Sequence, residues 1–140
     1  MRLIEITEAL KHIALAQPSI RTVVPNDVYR LNTLPDVQYG VFSFVQGNHR
    51  SDNENFMHYY FTLFYVDRLT ENKGNEIEVQ STGIDTLMNI IRGMEEKYTN
   101  REHQTVTFTT FTERFSDECA GAFATVDFMV PASTICEEEY

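Results

Sequence analysis

The run from Phe56 to Leu69, FMHYYFTLFYVDRL, restricts the fold more than any other part of the chain. A strand with one wet face alternates apolar and polar side chains, because successive residues point to opposite faces of the sheet. Here that alternation nearly fails. Met57, Tyr59, Phe61, Leu63 and Tyr65 share one face, while Phe56, His58, Tyr60, Thr62, Phe64 and Val66 share the other. Both faces therefore need a cover, supplied within the chain or from outside it. The aromatic residues sharpen the demand, since Tyr60 and Phe64 stand opposite Tyr59 and Phe61 and exposed rings of this size rarely cluster without a partner.

The neighbouring residues extend this strand into a hairpin. QYGVFSFVQG reads as a second strand, and the polar, turn-forming GNHRSDNEN joins the two. The eleven residues Met57 to Asp67 would span ~36 Å at ~3.3 Å each, long enough to protrude from a small domain. At the tip, His49, Arg50, Asp52 and Glu54 offer no apolar anchor, so the tip is expected to be mobile in an isolated subunit and ordered in an assembly.

Elsewhere the periods are helical. Leu3, Ile6, Leu10, Ile13 and Ala14 make one apolar stripe that Pro18 terminates. Pro18 to Pro35 reads as an irregular connector with a short edge strand near Thr22 to Val24. Ile77, Ile84, Leu87, Ile91, Met94 and Tyr98 form a second helical seam, interrupted by Gln80; Ser81 and Gly83 argue for a start near Thr82 and Lys97 for an end near Tyr98. HQTVTFTTFTERF and CAGAFATVDFMVP supply two more strands around the turn at Ser116 and Asp117. In the second of these, Ala120, Ala122, Ala124, Val126, Phe128 and Val130 share a face.

The order helix, hairpin, helix, hairpin predicts an α+β fold: a mostly antiparallel four-stranded sheet with two helices on one face. At 140 residues and 42% hydrophobic composition the chain suits a single domain, residues 1–136, followed by an acidic tail, residues 137–140. No apolar run approaches the ~20 residues of a membrane helix, and the first residues lack the apolar block and cleavage site of a signal peptide. The expectation is a soluble protein made in the cytoplasm. A net charge of -10 disfavours grip on a phosphate backbone, although a surface that DNA slides past remains compatible. Cys119 and Cys136 have no ligand spacing around them and read as idle thiols.

Catalytic and cofactor signatures are lacking. No phosphate-binding glycine loop occurs, and no nucleophile and base are paired in the sequence. His49 and His58, near Asp52 and Glu54, are the one group resembling a ligand set; with nothing to fix its geometry it reads as a polar loop, and His12 and His103 have less support. Adjacent acids such as Glu95 and Glu96 point apart and read as solvated charges. Asp67 and Arg68 close the long strand either as a solvated pair or as an inter-subunit salt bridge or helix cap; the modest worth of surface ion pairs favours the first.

The stretch FTLFYVDRLTENKGNEIEVQSTGIDTLMNIIRGM, together with FTERFSDECAGAFATVDFMVP, resembles the tail-terminator and head–tail completion proteins of tailed bacteriophages, of the type found in crAss-like phages infecting Bacteroides-type hosts. The resemblance covers Gln38 to Pro131 and rests on structural motifs. It implies a homo-oligomeric ring around the DNA channel, joining a portal or adaptor to the tail in the virion, with no enzyme activity and no cofactor. It also implies a cover for the second face of the hairpin, namely the next subunit, and makes Tyr60, Phe64, Asp67 and Arg68 the candidate interface. The competing expectation is a small-molecule-binding or regulatory α+β domain whose apolar sheet face is a ligand pocket.

Overall fold

The computed structural model describes residues 2–26, 38–52, 55–70, 72, 74–98, 104–112 and 119–131. Within these, the chain runs α1 (Leu3–Leu15), β1 (Thr22–Pro25), β2 (Val41–Gln46), β3 (Arg50–Ser51), β4 (Phe56–Arg68), α2 (Glu76–Lys97), β5 (Phe108–Thr112) and β6 (Cys119–Pro131). The fold class is α+β, as expected. The sheet is larger than expected and mixed: six strands in the order β1-β2-β4-β6-β5, with β3 paired to β4.

The expected long hairpin is β2 with β4, antiparallel, with Val41 opposite Val66 and Gln46 opposite Phe61. The edge strand expected near Thr22 is β1, but it runs parallel to β2, so the sheet is not purely antiparallel. Four residues ending in Pro25 are too few for a sequence period to reveal this pairing, and a proline suits an edge. The sixth strand, β3, is only two residues long and pairs with His58 and Met57 of β4. On the other side of β4, β6 pairs along its full 13-residue length.

The strand parity separates two clusters. Phe42 and Phe44 of β2, Tyr59, Phe61, Leu63 and Tyr65 of β4, and Ala120, Ala122, Val126, Phe128 and Val130 of β6 pack with both helices in the main core. The small alanines of β6 let α2 lie close along that strand. From α1, Ile6, Ala9, Leu10, Ile13 and Ala14 are buried, matching the expected stripe.

The second helix departs from expectation at its beginning. α2 starts at Glu76, not Thr82, and its buried seam is Val79, Gly83, Thr86, Leu87, Ile90, Ile91 and Met94, leaving Ile77 75% exposed. Asn75 fixes this start: its Oδ1 accepts the Thr70 N–H at 2.7 Å and its Nδ2 donates to the Arg68 carbonyl at 3.2 Å. Gly83 is no helix breaker because it faces the sheet. A Cβ there would lie 3.0 Å from Tyr65 Cδ2 and 3.3 Å from Ala122 Cβ. Gly83→Ala should therefore destabilise by about 1 kcal/mol or more, overpacking outweighing the helix-propensity gain of about 1 kcal/mol. Denaturant titration checks this; a stabilised variant would show that α2 can ride further from the sheet.

Candidate functional site

The face of the sheet away from the helices has three zones. At one end Val24, Val41, Phe64, Val66, Phe111 and Cys119 form a second buried cluster, with Tyr39, Val45 and Phe123 partly buried against it. Phe123 bridges the rings of Phe64 and Phe111, at centroid distances of 5.7 and 6.4 Å. In the middle, the Thr62 and Thr125 hydroxyls face each other at 3.3 Å. The other end is polar and carries His58.

His58 is buried, and both of its ring nitrogens meet carboxylates. Nε2 lies 2.6 Å from Asp52 Oδ2, and Nδ1 lies 2.9 Å from Asp127 Oδ2. A carboxylate only accepts, so this geometry calls for an imidazolium that donates at both nitrogens. Burial works against that charge, but the hydrogen bonds and negative charges of Asp52 and Asp127 outweigh it, and the pKa rises above the ordinary imidazole value. Both carboxylates are themselves positioned. Asp52 Oδ1 accepts the Phe56 N–H at 3.0 Å, closing the turn between β3 and β4. The backbone of Asp127 is bracketed by the Gln104 side chain, which accepts its N–H at 3.2 Å and donates to its carbonyl at 3.1 Å.

His49, also at the tip but on the helix-side face with Tyr59 and Phe61, is held in the opposite state. Its Nδ1 accepts the Tyr60 N–H at 3.0 Å, which requires a lone pair there, so the proton sits on Nε2 and is donated to Gln46 Oε1 at 3.1 Å. Burial lowers its pKa, in keeping with the neutral ring. Its ring packs against Tyr59 and Phe61, with centroids 5.3 and 5.5 Å away. Arg50 donates from Nε to the Tyr60 hydroxyl at 3.2 Å, with its guanidinium 5.8 Å from that ring. The tip residues His49, Arg50 and Asp52 are therefore tied to β4 by polar anchors, which composition alone does not reveal. Glu54 lies outside the described residues.

The four expected interface residues separate. Phe64 is only 6% exposed within this one chain, inside the second cluster, and so does not present its ring to a neighbour. Here the covered face is partly satisfied from within, which corrects the expectation for that residue. Asp67 accepts the Tyr65 hydroxyl at 3.1 Å and the Arg68 N–H at 2.8 Å. Burial, then the Asp67 charge, pushes the Tyr65 phenol pKa upward. Arg68 is exposed and stacks over Tyr39, 4.9 Å from its ring centroid. Tyr60 remains half-buried on the face.

No family model matches the chain, nor does any curated protein.

Chemically the His58 cluster is a structural one. Asp52 and Asp127 occupy opposite nitrogens of the ring, so the three side chains cannot converge on one ion, and among the described residues no three His, Cys, Asp or Glu side chains do so. His12 lines an open depression on α1 with Ile4, Glu5, Glu8 and Tyr98. Cys119 is buried in the second cluster, and His103 and Cys136 lie outside the described residues. No helix is long and apolar enough to cross a membrane among the described residues. Sequence reasoning missed Asp127 and Gln104 as members of the site. One signal was there to find: Asp127 is the sole charge in CAGAFATVDFMVP.

Proposed function

We propose that the chain is a virion structural protein, a ring-forming subunit at the head–tail connector or tail of a bacteriophage, bridging a portal or adaptor to the tail around the DNA channel. The observation that carries this reading is the central strip of the helix-free face. Val45, Thr62, Thr125, Phe123 and Thr109 are half-buried or exposed side chains in adjoining register across four strands, none of them charged, and Tyr60 closes the strip at the end where Asp127 stands opposite it. In a chain that is 23% charged, an uncharged strip on the open face of a sheet suits the core of a protein interface, where charges are depleted and aromatic residues enriched. The next subunit in the ring covers it. The sequence resemblance to tail-terminator and completion proteins supports the same reading. Light scattering across a concentration series tests the association: mass should rise toward one closed oligomer, and a fixed monomer mass would count against it.

The ring lets DNA pass without holding it. With 11 basic against 21 acidic residues, the subunit has little to displace counterions, so binding to duplex DNA at physiological salt should be undetectable at micromolar protein. A mobility-shift assay checks this. Tight, salt-sensitive binding would replace the passive channel with a DNA-gripping surface.

A further inference from the structure

The two histidines at the hairpin tip hold the same short arm in opposite charge states. The arm, residues 47–52, contains β3 and reaches β4 through two backbone-paired residues, through the Gly47 and Asp52 N–H groups that donate to the Tyr60 and Phe56 carbonyls at 2.6 and 2.9 Å, and through a few side chains. On one side His49 must keep Nδ1 unprotonated to accept the Tyr60 N–H. On the other, Asp52 reaches His58, which must carry protons on both nitrogens to satisfy Asp52 and Asp127 together. We propose that the arm docks on β4 only within a band of pH where His49 is neutral and His58 is charged, and that it releases on both the acidic and the alkaline side.

Each flank follows from the groups that face the ring. Around His58 these are Asp52 from the turn, Asp127 from β6, the Tyr60 ring stacked 6.1 Å away on β4, and Arg50, its register partner on β3, whose guanidinium lies over Tyr60. When His58 loses its proton, one nitrogen becomes a lone pair facing a carboxylate. Asp127 is fixed in a central strand with its backbone bracketed by Gln104, so the contact that gives way is Asp52, whose side chain is 27% exposed on the turn. Because binding to the two carboxylates raises the docked pKa, this contribution is complete below the ordinary imidazole value and lost as pH rises through the raised one. Around His49 stand the Gln46 amide, the Tyr60 N–H and the rings of Tyr59 and Phe61. Protonation of Nδ1 sets donor against donor. Its docked pKa is lowered by burial, so this contribution is complete above the ordinary value and lost as pH falls toward the lowered one.

Amide hydrogen exchange of the full chain, corrected for intrinsic rates and read beside the two imidazole titrations by NMR, tests the proposal. The Tyr60 amide reports the His49 side and the Phe56 amide, held by Asp52, reports the His58 side. Protection at both should peak near neutrality and fall about tenfold per pH unit on each flank, one proton being linked to each. Asp52→Asn should move the alkaline flank to lower pH and leave the acidic one in place. His49→Asn, which can still accept the Tyr60 N–H but does not titrate, should abolish the acidic flank alone. Flat protection while either ring titrates, or flanks that ignore these variants, would overturn the proposal.

Discussion

Phe61→Asp is expected to leave no folded subunit, whereas Tyr60→Asp, the adjacent substitution, is expected to fold and to lose self-association. Phe61 is fully buried in the main core, on the helix side of the sheet, and packs on Phe44 and Phe128 at centroid distances of 5.8 and 6.0 Å. A carboxylate there has no partner and no water, a loss of about 4 kcal/mol or more, which approaches the whole of a marginal domain's stability of about 5 kcal/mol. Tyr60 is half-buried and its hydroxyl meets Arg50. An Asp at that site keeps access to water and to Arg50 but stands opposite Asp127, so the melting temperature should fall by about 5–10 °C while the subunit stays folded. In the proposed ring the same carboxylate would be buried against a neighbour, and association should fall by a factor of about a hundred or more. Phe64→Asp belongs with Phe61, not Tyr60, because its ring is already buried inside one chain. Circular dichroism melts beside light scattering separate the three variants.

Gly121→Ala is expected to be as damaging as a core charge. Gly121 sits in β6 opposite Val66, and an added Cβ would overlap the Tyr65 carbonyl oxygen and approach Phe111 Cζ at 3.0 Å. The nearer obstacle is backbone in the central strand β4, so relief requires β6 to move off the longest ladder in the sheet; the cost is about 3 kcal/mol or more. Gly93→Ala gives the contrast. Its Cβ would meet only the Ile13 side chain, at 3.2 Å from Cγ2, and Ala gains about 1 kcal/mol of helix propensity, so the net change should be small. Equal losses for the two would mean that the β4–β6 ladder is looser than its register implies.

The parity of the long strand was legible in the sequence because period two is unambiguous over 13 residues, but which set meets the helices was not: Phe61 and Tyr65 lie with them, and Tyr60 and Phe64 lie opposite. The alternating alanines of β6 were legible for the same reason. The start of α2 was not, since Gly83 reads as a breaker unless its close approach to Tyr65 and Ala122 is known. Nor was the exact seam. Ile77 fits a heptad but lies on the solvent side of the first turn of α2, while Gln80, read as an interruption, turns to the edge of β5 and donates to the Phe111 carbonyl at 3.2 Å. Short or long-range pairings were invisible: β1 beside β2, β3 beside β4, and Asp127 beside His58, which are 69 residues apart. A histidine's charge state depends on such neighbours, so nothing local distinguishes His49 from His58.

The uncharged strip of the helix-free face and its role in a ring are the centre of the account. Native mass spectrometry of the purified chain, paired with electron microscopy of the same sample, tests it most directly. Closed rings of one stoichiometry with an open lumen are expected, absent in Tyr60→Asp and in Thr125→Asp, while both variants stay folded. A parent that stays monomeric at high concentration, or rings that form undiminished in both variants, would contradict it.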